Sequence, residues 1–232
     1  MATTKLTKKQ VEQDEFIDTV FDLGEWLEVH WRRVAIAAVS VVAAVLLGFG
    51  WISMRERTAA SANELLAKGM SAFQPDAGAA GKAAPPNYGE ALTLFEQAAD
   101  KAGSQPVGEI ASLYRGRTLI AMGRAAEATP ILTPIASSGN ARLAAQAKVA
   151  LAEAASASGD YDGAATLLQD VITSMASAYP PDGAMMRLAG VRASQGKPAD
   201  ARRLYDDLVA KYPQSPFASE ARQRSTDLAA GK

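Results

Sequence analysis

The sequence predicts an all-α chain in which one bilayer-length apolar helix precedes a stacked array of helical hairpins. Three observations carry that reading. Val34 to Met54 runs 21 residues without a charge, a small residue recurs every 36 to 37 positions from Ala91 onward, and Ala dominates after residue 58 while aromatics make up only 6%. Ala loses no side-chain entropy in a helix and lets helices approach closely, so this composition favours helices over sheets.

With 48% apolar residues, the 232-residue chain can bury the core of one ordinary domain and still carry an extra segment. Its 24 Lys and Arg nearly cancel 25 Asp and Glu, so the basic footprint of a nucleic-acid binder is missing and no nucleic-acid partner is expected. The lack of Cys excludes disulfides, thiolate zinc sites and thiol nucleophiles.

At about 1.5 Å per residue, a helix over residues 34–54 matches the roughly 30 Å hydrocarbon core of a bilayer. A buried core helix is usually shorter, and a cleaved signal usually has an apolar run of about 7 to 15 residues. Trp31 and Trp51 stand near the two ends, where indole rings prefer headgroups, and Arg32, Arg33, Arg55 and Arg57 can snorkel outward. The short first segment also holds Lys5, Lys8 and Lys9, while a long C-terminal domain is translocated largely regardless of charge. The expected layout is a cytoplasmic tail over 1–33, a transmembrane helix over 34–54 and an exported, uncleaved domain over 55–232.

Within the tail, Phe16, Val20, Leu23 and Leu27 fall on one helical stripe that Trp31 extends. That stripe either lies on the membrane surface or docks on a partner's cytoplasmic face. The tail has 7 Asp and Glu against 5 Lys and Arg, which weakens attraction to anionic lipid and leans towards a partner. His30, the only His, has no second ligand near it in sequence and reads as an interfacial side chain.

The repeat defines the remainder. Ala91, Ala128, Ala164 and Ala201 are separated by 37, 36 and 37 residues, and Gly123, Gly159 and Gly196 by 36 and 37. Gly116, Ala152 and Ala189, each twelve residues before the shared Ala, mark where the two helices of a hairpin cross closely. Each unit then reads as a helix, a turn whose Gly takes positive φ, and a second helix. In the fourth unit the second helix buries Ala201, Leu204, Tyr205 and Leu208 and stops at Pro213.

This pattern resembles the tetratricopeptide family: a small residue at the crossing, a turn Gly, the shared Ala, an aromatic four residues later at Phe95 and Tyr205, and a terminal Pro. The period is longer than the family's 34, and Leu132 and Leu168 replace the aromatic in the middle units. The resemblance implies a tetratricopeptide-like superhelix of about four hairpins over roughly 58–230, closed by a capping helix from Pro216 with Phe217, Ala221 and Leu228 turned inward.

Two departures stand out. The Pro-, Gly- and Ala-rich stretch over 75–87 breaks the first hairpin, as a tolerated surface insertion or as a binding loop. Pro130 and Pro134 fall inside the second helix of the second unit. Pro130 is compatible with a first turn, whereas Pro134 should bend the array there.

No combination of His, Cys and carboxylate, no phosphate-binding Gly loop and no metalloprotease or calcium motif occurs, so the chain reads as non-enzymatic, with no cofactor. Asp160, Asp162 and the pair Asp206 and Asp207 read as solvated helix-surface acids rather than metal ligands.

The layout of an acidic tail, the stretch EWLEVHWRRVAIAAVSVVAAVLLGFGW and an Ala-rich repeat domain is similar to that of the bacterial ancillary SecYEG translocon subunit family. That resemblance implies a single-pass inner-membrane protein with a periplasmic C-terminal domain, whose partners are the translocon, a periplasmic chaperone and emerging envelope proteins. The alternative function is an envelope-organising structural protein supporting cell division or outer-membrane assembly.

In a tetratricopeptide hairpin the first helices line the concave face. Counting from the small-residue series turns Arg117, Ile120, Glu153 and Met186 towards that groove as candidate partner-binding residues. Apolar contacts there would supply affinity, while Arg117 and Glu153 would orient a peptide or, alternatively, pair with neighbouring repeats.

Overall fold

The computed structural model describes residues 8–75, 85–103 and 105–231, with side chains from His30 onward except that of Ala38. Every regular element among them is an α-helix. The chain divides into two compact units, Met1–Glu56 and Arg57–Lys232.

The first unit consists of α1 (Lys8–Phe73) up to Glu56. Nothing in the sequence stops this helix between the tail and the repeats, and its Gly48 and Gly50 meet no neighbouring atom. Its apolar side chains are exposed, Leu47 at 75% and Phe49 at 72%. Arg32 lies 5.7 Å from the Trp31 ring and Arg55 5.5 Å from the Trp51 ring, so a cation and an indole are paired at either end of the apolar stretch. The stripe expected from Phe16, Val20, Leu23 and Leu27 involves side chains outside the described residues.

The second unit holds the end of α1 and then α2 (Tyr88–Ala102), α3 (Pro106–Ala121), α4 (Ala125–Ala136), α5 (Ala141–Ala157), α6 (Tyr161–Ser174), α7 (Pro181–Ser194), α8 (Pro198–Lys211) and α9 (Ala218–Ala229). Each helix from α2 to α9 packs on the next, and α3 packs also on α5. This yields four hairpins and a cap. The four shared Ala residues are all 0% exposed, and each feeds one of four local apolar clusters rather than a single central core.

The periodic glycines do the expected work. Gly123, Gly159 and Gly196 have φ of 76°, 83° and 76°. In each, the glycine donates to the carbonyl three residues back, and the next residue to the carbonyl five back: Arg124 to Leu119, Asp160 to Ala155, Lys197 to Arg192. This paired pattern satisfies the last carbonyls of the first helix and reverses the chain within two residues.

The crossing series is equally physical. A Cβ on Gly116 would lie 2.6 Å from Leu132, the residue four after the shared Ala128. The first unit has the same contact: a Cβ on Gly69 would lie 2.7 Å from Phe95, four residues after Ala91. Gly69 is therefore the fourth member of the series. It stands 22 residues before Ala91, where the later units have twelve, because the Pro- and Gly-rich insertion intervenes.

α4 passes through Pro130 and Pro134 and ends at Ala136. Ala126, Pro130 and Pro134 are exposed, so the carbonyls of Ala126 and Pro130, which lose their intrahelical donors, lie on the solvent side. At the far end Ala221 is fully buried on α8, with Phe217 and Leu228 packed at its margin. The outer face of α9 carries exposed Arg222, Gln223 and Arg224, which suits a terminal cap.

Candidate partner-binding groove

The first helices α3, α5 and α7 present one face. Arg117 projects from α3, Glu153 from α5 and Arg187 from α7, all half-buried. Arg187 donates to Glu153 at 2.9 Å across the seam between the third and fourth hairpins. Burial pulls the Arg187 guanidinium down, but its hydrogen bond to Glu153 and the charges of Tyr179 and Glu153 outweigh this and leave it raised.

Two cavities share this face. One, of about 100 Å³, is lined by Arg117, Gln146, Val149, Glu153, Tyr179 and Arg187. The other, of about 430 Å³, lies between α5 and α7 over Leu168 and Tyr161 of α6, with Ala152, Gly190 and Val191 in its walls. Val149, Glu153 and Arg187 line both. An apolar floor with charges at its rim can bind a chain segment by burying side chains and orient it through the charges.

Of the residues expected in the groove, the structure brings Arg117 and Glu153 to one cavity. Ile120 packs at the margin of the α3–α5 cluster and Met186 at the margin of the α7–α9 cluster, and neither lines these two cavities. Arg117 has its guanidinium 5.3 Å from the Tyr114 ring and 5.8 Å from that of Phe73. Arg187 is the residue that sequence reasoning missed. Its signal is an opposite charge 34 positions after Glu153, about one repeat away.

The acids set aside as surface charges have structural partners. Asp160 caps α6 by accepting from the Gly163 N–H at 2.9 Å. Asp162 accepts from Gln195 at 2.8 Å; this bond, with Lys197 and Arg192 nearby, holds its carboxyl below the usual range. Asp206 accepts from the buried Ser225 hydroxyl of α9 at 2.6 Å.

Stacked hairpins with a groove on the first-helix face define a helical-repeat scaffold for protein–protein interaction, a fold that is typically non-catalytic. Residues 149–216 match the tetratricopeptide repeat family model, so the repeats are of the tetratricopeptide-like kind. A crystal structure of a Podosopora anserina kinesin light chain protein with nearly identical TPR-like repeats superimposes with a TM-score of 0.53 at 17% identity, over 76% of this chain and 87% of that one. That likeness establishes the fold. No curated protein matches the sequence.

Proposed function

We propose that the chain is a single-pass inner-membrane scaffold, with residues 34–54 as anchor, the tail in the cytoplasm and the repeat domain in the periplasm. It acts as a non-enzymatic accessory of the Sec translocon, linking it to periplasmic chaperones and emerging envelope proteins. The observation that carries the anchor is a helix long and apolar enough to cross a membrane whose most apolar stretch has none of its surface buried by protein. Exposing such a surface to water is costly at about 25 cal/mol per Å², and hydrocarbon removes that cost. Trp31 with Arg32 and Trp51 with Arg55 fit the two interfaces. The translocon assignment rests on the resemblance in layout, and the interaction role on the repeats and their groove.

Two measurements test it. A periplasm-active reporter fused after Lys232 should be active, whereas a mature N-terminus found between Ser53 and Ala60 would mean a cleaved signal. Crosslinking in intact membranes should recover translocon subunits with the full chain. Recovery of cell-wall enzymes without any translocon subunit would replace this reading with an envelope-organising role.

A further inference from the structure

The seam between α5 and α7 differs from the one before it. α3 approaches α5 directly, whereas α5 and α7 make no comparable backbone approach: they meet through the apolar cluster they share with α6, and the Arg187–Glu153 ion pair bridges them. Small residues line the resulting slot, and the fold does not require all of them. Gly116 is demanded by Leu132, whereas a Cβ on Gly190 would meet nothing nearer than the Tyr205 hydroxyl at 4.0 Å. The space beside Gly190 is thus unused by the helix crossing.

Arg117 supplies the second observation. Arg115, Arg187 and Arg192 each meet an acid, at 2.7, 2.9 and 3.4 Å. Arg117, equally half-buried, makes no hydrogen bond or ion pair among the described residues, yet two aromatic rings fix its guanidinium in place. A planar, pre-oriented cation with free donors suits a carboxylate, which it can grip through two parallel bonds. Arg117 and Arg187 against Glu153 leave the groove one positive charge in excess. The nearby Glu153 opposes a densely charged polyanion but accommodates a single carboxylate.

We propose that this groove receives an extended segment of a protein partner in which an acidic residue lies beside a large apolar one. The carboxylate pairs with Arg117 and the apolar side chain enters the slot over Leu168. This rests on the scaffold reading above and names the partner chemistry that the groove selects.

The test uses the full chain in lipid nanodiscs and fluorescein-labelled Gly/Ser host peptides carrying Glu and Leu, Gln and Leu, Lys and Leu, or Glu and Ser at neighbouring positions. Fluorescence anisotropy should show the Glu and Leu peptide binding about tenfold or more tightly than the others. Arg117→Gln should erase the preference for Glu over Gln. Gly190→Leu, or Ser194→Leu on the rim should the first fail to fold by circular dichroism, should erase the preference for Leu over Ser. Equal binding of the Lys and Leu peptide, or a Glu preference that survives Arg117→Gln, overturns the inference. So does self-association of the full chain that Gly190→Leu abolishes, which would make a second copy the occupant. If no peptide binds while crosslinks to translocon subunits persist, the inference fails and the scaffold reading stands; loss of those crosslinks from the unaltered chain sinks the scaffold reading itself.

Discussion

Gly116→Ala separates packing from helix propensity, because the two point in opposite directions. Gly116 lies inside α3, where Ala is intrinsically better by about 1 kcal/mol. The added Cβ, however, would lie 2.6 Å from both Cγ and Cδ2 of Leu132, a side chain that is 0% exposed. Ordinary contact is near 3.8 Å, so Leu132 must retreat by about 1 Å into a close-packed cluster. Overpacking of that kind costs about 1 to 3 kcal/mol. The balance is a net loss of roughly 1 kcal/mol, a fall of about 2 to 4 °C in Tm for a domain of this size. Gly190→Ala is the control: its Cβ meets only a hydroxyl at 4.0 Å, so propensity acts alone and Tm should rise. Thermal melts of the two variants by circular dichroism decide the matter. A Gly116→Ala protein stabilised as much as Gly190→Ala would refute the close crossing. Combining Gly116→Ala with Leu132→Ala should be less damaging than the sum of the two, since the second change removes the obstacle.

Other expectations follow from the same geometry. Ala164→Trp should unfold the repeat domain, because Ala164 is 0% exposed at the α5–α6 crossing; wild-type thermal stability would mean the register is wrong. Asp160→Ala should lower stability by about 1 kcal/mol through loss of the α6 cap, measured by urea titration against Asp160→Asn, which keeps it. The hydrogen bond from Lys148 of α5, followed by one from Ser174, holds the Asp170 carboxyl below its ordinary value. Its contribution is therefore present above the unfolded value and is lost as pH falls through the folded one, below the ordinary carboxylate range. The stability gap between wild type and Asp170→Asn should be full at neutral pH and close in acid, and a gap that widens in acid would contradict this.

The parts of the fold legible in the sequence are those that sterics force on every copy. A turn that needs positive φ asks for Gly at 123, 159 and 196, and a crossing that excludes bulk asks for Ala at 91, 128, 164 and 201. Gly69 escaped because an insertion moved it out of phase, although its contact with Phe95 repeats that of Gly116 with Leu132. The groove was half legible. Arg117 and Glu153 follow from counting along the small-residue series, but the opening between α5 and α7 depends on how far two particular helices part, which no periodicity encodes. Arg187 belongs to that unrepeated feature. Ile120 and Met186 carry apolar side chains that neighbouring helices draw into their own clusters, and the sequence offers no sign of which neighbour wins.

Phe73 and Tyr88, on either side of the insertion, are clasped. The Asn87 N–H donates to the Ala72 carbonyl at 2.8 Å, and the Phe73 and Tyr88 rings lie 5.6 Å apart. The two ends of the intervening chain are thus held together whatever lies between them. Residues 76–84 between them lie outside the described residues; because loop closure becomes only slowly less favourable with length, by about 0.6 kcal/mol per doubling, sequence added between the clasped ends costs the hairpin little. Added sequence at this point would leave the residues that form the crossings unchanged. An experimenter can likewise place an epitope or a fluorescent domain there and keep both the N-terminal helix and the C-terminal cap untouched.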